Sequence, residues 1–265
     1  MGGKPKKRFS QNFLADKNIA RKIVDYLEIT PDDTVLEIGS GRGTLTSLMT
    51  PWCRRLVSFE IDRDLITELQ AKFSDQKNVE IVNTDFLKAD PSDYTGDKFK
   101  LIGNIPYDIT SPLLDWMITH RARISRAVIT TQKELATRIS SKPGGKDWAP
   151  VAIFCQCFFE IEQVLTIPPA AFYPPPRVYS ATLVFKPDAR FDITDWDYFR
   201  TVVREAFRHR RKMLVNNLHG AFNIGKDNIQ AVLRDIGLDE NIRAEQVGIE
   251  EFIRLTEKIK GIELS

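Results

Sequence analysis

Cysteine and histidine are both scarce in this 265-residue chain, with three of each. Three cysteines cannot pair evenly, and only Cys155 and Cys157 share a local segment, beside Phe158 and Phe159. That Cys-x-Cys is expected to be a buried, reduced pair, because no second Cys or His cluster exists to complete a zinc site. His120, His209 and His219 stand in no motif, which argues against a hydrolytic triad. No apolar run approaches the ~20 residues that cross a bilayer, and residues 1–8 lack the apolar core of a secretory leader. Neither sign of charge is in large excess: the chain sums to +2. These absences exclude a disulfide miniprotein, a metal centre and a membrane span, and point to a reducing cytoplasm.

What is present is an ordinary globular composition, 42% hydrophobic, 28% charged and 10% aromatic. It excludes a disordered tail or a coiled coil, and the length suffices for one large core and a small second one. The near-neutral total hides an uneven distribution. Residues 1–8 carry net +4 and residues 200–212 net +5, which leaves the rest of the chain at −7. A mildly acidic body with two basic patches suits a protein that meets a polyanion at defined places, although many basic runs are only solvated faces.

Apolar spacing predicts a helix over 15–28, with Ile19, Ile23, Val24 and Leu27 on one face and Asp16 as N-cap. Strands are expected at 34–38, 55–60, 79–83, 99–102 and 127–131, with helices starting near Thr44, Asp62, Ser111 and Gln132. Two more strands, 162–167 and 182–186, flank a proline-rich loop without a helix between them, so one of the two is expected to run antiparallel. Residues 140–147 (SSKPGGKD) read as a flexible loop. The alternation predicts an α/β fold with a largely parallel sheet of about seven strands over residues 1–187, including a basic tail at 1–9. Helical patterns at 195–219, 226–236 and 250–260 predict a small all-helical C-terminal domain over 188–265.

Glu37-Ile-Gly-Ser-Gly-Arg-Gly43 falls between a strand and a helix, where glycines let the backbone turn sharply and a ligand approach closely. The dinucleotide fingerprint would want glycine where Thr44 stands, so the spacing suits a small nucleoside ligand better than a pyrophosphate. Glu60 ends the second strand, where a carboxylate can accept both ribose hydroxyls, and Asp85 ends the third, where it could accept from an adenine amino group. Either acid alone could be a capping or turn residue. Acids at three successive strand ends, with the glycine loop, point to an adenosine-bearing cofactor. The arrangement resembles the class I (Rossmann-like) S-adenosylmethionine methyltransferases.

Asn104-Ile-Pro-Tyr107 follows the fourth strand. The exocyclic amino group of a base is a poor nucleophile because its lone pair is delocalised into the ring. An amide oxygen and a backbone carbonyl accepting its two hydrogens favour a pyramidal nitrogen aimed at a methyl donor, and an aromatic ring can stack on the base. A sulfonium leaves as a neutral group, so positioning carries most of the rate. Alone, this tetrapeptide would read as a proline turn; its place behind the cofactor signals favours chemistry.

Gln11-Asn-Phe-Leu14, the Glu37–Gly43 loop, Asn104–Tyr107, Gln132-Lys-Glu134, Phe172-Tyr-Pro-Pro-Pro-Arg-Val178 and Glu205-Ala-Phe-Arg-His-Arg-Arg-Lys212 occur in the order found in the ribosomal RNA adenine N6,N6-dimethyltransferases. The chain resembles the KsgA (RsmA) branch of that family over essentially its whole length. The resemblance implies S-adenosyl-L-methionine as cofactor, with Gln11, Asn12, Leu14, Gly39, Gly41, Glu60, Ile61, Asp85, Phe86 and Asn104 around it. Asn12 and Leu14 would line and cover the site, Glu60 would hold the ribose and Asp85 the adenine. Asn104 and the Pro106 carbonyl would hold the target amino group, with Tyr107 and Phe172 sandwiching a flipped adenine. Without the family, Phe172 would read as a core aromatic. Ile105 stands where the branch usually has leucine, Asp108 where it has asparagine, and Ser10 where glycine is frequent. Ile105 also occurs in the Erm branch, so the tetrapeptide does not separate the two.

Residues 197–218 are expected to form one helix, with Phe199, Val203, Phe207, Leu214 and Leu218 inward and Arg200, Arg204, Arg208 and Arg211, with Lys212, meeting phosphate. The basic amino end is expected to order only on RNA, with a solubilising tail as the alternative. The implied partner is 16S rRNA within the small ribosomal subunit, met by a monomer in the cytoplasm. The implied reaction is dimethylation of two adjacent adenosines in the 3′-terminal hairpin. The alternatives are an Erm-type enzyme acting on 23S rRNA and an assembly factor whose binding outweighs its catalysis.

Overall fold

A computed structural model describes residues 12–106 and 109–263. The basic tail, Gln11, Tyr107 and Asp108 lie outside the described residues. The chain divides into two compact units, one of Met1–Ala136 with Phe159–Pro187, the other of Thr137–Phe158 with Asp188–Ser265.

In the first unit, a two-residue strand β1 (Phe13–Leu14) leads into helix α1 (Lys17–Asp25). As expected, Asp16 caps α1: its Oδ1 accepts the Asn18 and Ile19 backbone N–H groups at 2.8 and 3.0 Å. Then come β2 (Thr34–Ile38), α2 (Thr44–Met49), β3 (Arg55–Phe59), α3 (Arg63–Lys72), β4 (Val79–Val82), β5 (Phe99–Asn104), α4 (Thr110–Thr119), β6 (Ile124–Gln132) and the first residues of α5 (Lys133–Ile139). β7 (Phe159–Ile167), β8 (Phe172–Tyr173) and β9 (Ser180–Pro187) follow a helix of the other unit. The sheet order is β4-β3-β2-β5-β6-β9-β7, parallel from β4 to β6, with β9 antiparallel to both its neighbours. Seven strands, one of the last two reversed, match the sequence expectation.

β2 is buried along its whole length, as a central parallel strand covered on both faces should be. One face carries α1 and α2, whose Ile23, Val24, Leu45 and Met49, with Leu27 just after α1, pack on Val35, Leu56, Ile102 and Val128. From β2 the chain builds outward through β3 and β4, then returns to β5 on the other side of β2. Such a reversal opens a crevice at the carboxyl ends of the two strands, because successive connections diverge there. The sequence pattern gives no sign of a separate ribbon, in which β1 pairs antiparallel with β8, Phe13 opposite Tyr173 and Leu14 opposite Phe172.

The second unit corrects the expected boundary at residue 187. Residues 137–158 belong with the C-terminal helices, because their apolar side chains fill that unit's core. Helix α6 (Pro150–Gln156) brings Phe154 edge-on to Trp196, at 5.6 Å between ring centres, and Trp148 is fully buried with Nε1 donating to the Val247 carbonyl at 2.9 Å. The loop at 140–147 is not loose. Gly144 N–H donates to the Glu245 carbonyl, the Lys146 carbonyl accepts Arg210 Nη2, and Gln156 Nε2 donates to the Ile139 and Ser141 carbonyls. Cys155 and Cys157, like Cys53, are buried.

The single helix expected over 195–219 is two, α7 (Trp196–Ala206) and α8 (Leu214–Phe222), followed by α9 (Lys226–Asp235) and α10 (Ile249–Glu263). Buried Asn217 supports the break: its Nδ2 donates to the carbonyls of Ala206 and His209 at 2.6 and 3.2 Å, oxygens that a continuous helix would have satisfied itself. Five consecutive basic or histidine side chains, 208–212, are thereby spread over a turn instead of stacked along a helix.

Candidate active site

The crevice at the ends of β2, β3, β4 and β5 holds a cavity of about 310 Å³. Every described residue expected around cofactor and target base lines it: Asn12, Leu14, Gly39, Gly41, Glu60, Ile61, Asp85, Phe86, Asn104, Pro106 and Phe172. They come from five strand ends and the β1 segment, so the sheet and not the chain order brings them together.

The floor is the glycine loop after β2. Gly41 sits at φ +55°, and a Cβ there would meet the Phe13 ring at 3.0 Å, so the loop can lie under β1 only without a side chain. Its backbone N–H donates to Glu60 Oε2 at 2.8 Å, and Asp62 N–H donates to Glu60 Oε1 at 2.9 Å. Glu60 is therefore held rigidly at the end of β3, with lone pairs remaining on both oxygens for a diol. Burial raises its carboxyl above the usual range, opposed by those backbone hydrogen bonds. Asp85 receives the Leu87 N–H at Oδ1, 3.1 Å away, so it caps a turn and lines the cavity at once. Ile61, 48% exposed, and buried Phe86 present apolar surface on either side of these acids.

Glu37 matters more than its place in a glycine-loop motif suggests. It is buried at the end of β2, and its Oε2 accepts the hydroxyls of Thr46 (2.6 Å) and Ser58. Ser58 in turn meets Ser40 Oγ at 2.6 Å. The other oxygen, Oε1, has no hydrogen-bond partner among the described residues, and Glu37 lines the cavity. Burial pushes its carboxyl up to about 7, against the two hydroxyl bonds that favour the charge. A buried carboxylate oxygen without a donor, on a residue that lines a cavity, is a place for a donor or cation on a ligand. S-adenosyl-L-methionine carries such groups, so these residues fit it. The sequence signal for this role is Ser58, a hydroxyl in the middle of a buried parallel strand. Lys72 has no such signal: its Nζ donates to the carbonyls of Arg42 and Gly43, both at 3.1 Å, and holds the glycine loop to α3.

Asn104 ends β5. Gly103 before it lets the strand pass Ile38, whose Cβ and carbonyl oxygen would lie 3.0 and 3.1 Å from an added Cβ. Asn104 Nδ2 donates to the Asn12 carbonyl at 3.0 Å. That bond fixes the amide's orientation and leaves Oδ1 as an acceptor. The Pro106 carbonyl accepts Ile109 N–H at 3.2 Å and keeps a second lone pair. Phe172 is both things the sequence allowed: 4% exposed within the core cluster that holds Leu14, and part of the cavity wall. The β1 segment is held at three points besides its ribbon. Ala15 N–H donates to Ala171 O at 2.8 Å, Thr44 Oγ1 to Leu14 O at 3.3 Å, and Asn104 to Asn12.

In the helical unit, Arg204, Arg208, Arg211 and Lys212 are exposed, but Arg200 is not on a solvent stripe. Its guanidinium lies over Phe154 and Trp196, at 5.6 and 5.8 Å from the ring centres. Arg208 pairs with Glu205 at 3.0 Å while staying 62% exposed.

Known proteins fall in line with this geometry. A family model described as ribosomal RNA adenine dimethylase matches residues 2–260. The chain is 42% identical to the ribosomal RNA small subunit methyltransferase A of Syntrophotalea carbinolica over 98% of both chains. It is 34% identical to the protein of that name from Geobacter metallireducens, again over 98% of each. Among solved structures, a dimethyladenosine transferase from Plasmodium falciparum superposes with a TM-score of 0.82 at 26% identity, covering 92% of this chain and 95% of that one. The 23S rRNA methyltransferase ErmE gives 0.75 at 29% identity, over 94% and 100%.

Proposed function

The chain belongs to the ribosomal RNA adenine dimethylase family, and from that premise we propose that it dimethylates N6 of two adjacent adenosines in the 3′-terminal hairpin of 16S rRNA, in four transfers, within the small subunit. The observation that carries this reading is the Asn104 amide, turned by the Asn12 carbonyl so that Oδ1 is free to accept at the wall of a nucleoside-sized cavity. S-adenosyl-L-methionine, when bound, supplies a methyl carbon activated by a sulfonium that leaves as a neutral thioether. Glu60 would hold its ribose, Asp85 its adenine, and Glu37 Oε1 a donor on its amino-acid end.

Asn104 Oδ1 and the Pro106 carbonyl accept the two N6 hydrogens, which draws the nitrogen lone pair out of the ring and toward the methyl carbon. Phe172 gives one face of the base an apolar wall, and Tyr107 would give the other. No side chain needs to supply a proton, since the leaving group is neutral. The surplus proton on N6 goes to solvent after transfer. Arg204, Arg208, Arg211 and Lys212 would hold phosphates of the same RNA. The protein would act as a monomer, in the cytoplasm where free small subunits are assembled, and contribute to their maturation.

The identity of 34–42% to proteins named for the small subunit, against 29% to ErmE, supports 16S over 23S rRNA as target. The deciding experiment offers labelled S-adenosylmethionine with unmethylated small and large subunits side by side, then digests the RNA to nucleosides. Labelled dimethyladenosine from the small subunit is expected. Label in the large subunit would move the activity to 23S rRNA, and tight subunit binding without label would leave an assembly factor.

A further inference from the structure

Three of the five large hydrophobic side chains exposed among the described residues fall in one loop: Tyr173 (57%), Val178 and Tyr179 (53%). The loop begins at Phe172, which lines the cavity. Phe172 and Tyr173 are neighbours on β8, and successive side chains on a strand point to opposite faces. Phe172 is therefore buried against the cavity while Tyr173, one residue on, stands outside it. A tyrosine kept for packing buries its ring, and one kept for structure uses its hydroxyl. Among the described residues neither Tyr173 nor Tyr179 has a hydrogen-bond partner for its hydroxyl, whereas Tyr26 and Tyr198 each have one.

Each exposed ring has a cation beside it. The Arg42 guanidinium lies 5.9 Å from the centre of the Tyr173 ring, and Lys133 Nζ lies 5.9 Å from that of Tyr179. Arg177 stands between the two rings in sequence. Both rings are anchored through their backbones. Tyr173 is held in register opposite Phe13, and the Tyr179 carbonyl accepts Lys133 N–H at 2.9 Å. Flat rings fixed in place, with positive charge alongside, are what a single nucleic-acid strand needs: a stacking surface for each base and a counter-charge for each phosphate.

We propose that Tyr173 and Tyr179 are stacking platforms for the nucleotides flanking the target adenosine, on the same single-stranded stretch of RNA. This rests on the proposed reading of the Asn104 cavity as the place of a flipped adenine. A strand that delivers one base into that cavity must carry its neighbours past it: Tyr173 is one residue from Phe172, and Tyr179 is hydrogen-bonded to Lys133 just past the end of β6, the strand beside β5 and Asn104. The stacked neighbours replace partners that the flipped base has left, which lowers the cost of extruding it. Arg42 and Lys133 serve the phosphates between them.

The test uses the full-length protein and a hairpin RNA of the small-subunit 3′ end with 2-aminopurine beside the target adenosines. Tyr173→Ala and Tyr179→Ala should each raise KM for the RNA on the order of tenfold, leave kcat and S-adenosylmethionine affinity close to wild type, and weaken the quenching of 2-aminopurine on binding. Tyr→Phe should restore all three, and Tyr173→Ile, apolar but not planar, should not. Unchanged KM and quenching in the alanine variants would overturn the proposal, as would full function in Tyr173→Ile. A loss of cofactor affinity in Tyr173→Ala would assign that ring to the β1–β8 ribbon instead. If the wild type methylates neither subunit, the functional reading fails while the quenching still decides the stacking.

Discussion

Asn104 and Glu37 are both polar groups at strand ends, but they carry different burdens. Asn104 is half satisfied by the backbone: the Asn12 carbonyl takes its N–H and leaves its oxygen to work. Asn104→Ala should therefore keep RNA binding and lower kcat by about 10²–10³, the usual cost of removing one well-placed polar group from a transition state. Single-turnover transfer of labelled methyl, beside an RNA-binding assay, reads both. Glu37 has an ordinary value of 4.5 that burial pushes up to about 7 in the folded chain. The folded state thus binds this proton more tightly than the unfolded chain. The stability it contributes is complete below 4.5 and is lost as pH rises through about 7, at most roughly 3 kcal/mol at 1.4 kcal/mol per tenfold in proton affinity. Unfolding of the cofactor-free protein should show a midpoint that falls between about pH 5 and 7.5 by more than that of Glu37→Gln. Cofactor binding should show the opposite slope and weaken below about pH 7 in the wild type, because a protonated Glu37 no longer attracts a cationic group; calorimetric titration across pH would show it.

At the scale of elements, two features turn a common sheet into this site. The β1–β8 ribbon sets Leu14 and Phe172, two residues of the cavity wall, opposite each other in one backbone register. The break between α7 and α8 does the comparable work in the helical unit, and it depends on one side chain. Asn217 is 4% exposed and caps two carbonyls at the end of α7. Asn217→Ala leaves the buried Ala206 oxygen unpaired, while the His209 oxygen keeps the Lys212 N–H, and should cost about 1–3 kcal/mol, seen as a lower denaturant midpoint with an unchanged slope. If the midpoint stayed put, the turn would owe nothing to that cap.

For the whole molecule, the distribution of charge says more than its total. Residues 200–212 carry net +5 and residues 1–8 net +4 in a chain of net +2. Arg208's exposed pair with Glu205 does little to neutralise it, since exposed pairs contribute at most about 1 kcal/mol. Reversing Arg204 and Arg208 to Glu should weaken binding to the small subunit and flatten its dependence on salt, by about 0.7–0.9 in log–log slope for each phosphate the protein no longer neutralises. The affinity for free S-adenosylmethionine should not move. Subunit binding that survives the reversal at moderate salt would reduce this surface to a solvated face.

The order of the seven sheet strands, the glycine loop and the acids at the strand ends were legible in the amino-acid sequence, while the β1–β8 ribbon and α6 gave no local signal. Hydrophobic runs bounded by turn residues are local signals, and a parallel α/β alternation leaves few topologies that bury them. The family was legible too, because six short motifs in register carry more information than any one of them. What depends on residues far apart in the chain was left to the folded molecule. Asn104 owes its orientation to a carbonyl 92 residues earlier. Residues 137–158 joined the helical unit because Trp148 and Phe154 complete a core built by residues after 188. Arg200 left the expected basic stripe for two aromatic rings, and a run without proline or glycine broke into two helices around Asn217. Periodicity reports which face of an element is apolar; which partner that face meets, and which buried polar atom finds a mate, is settled only when the elements pack.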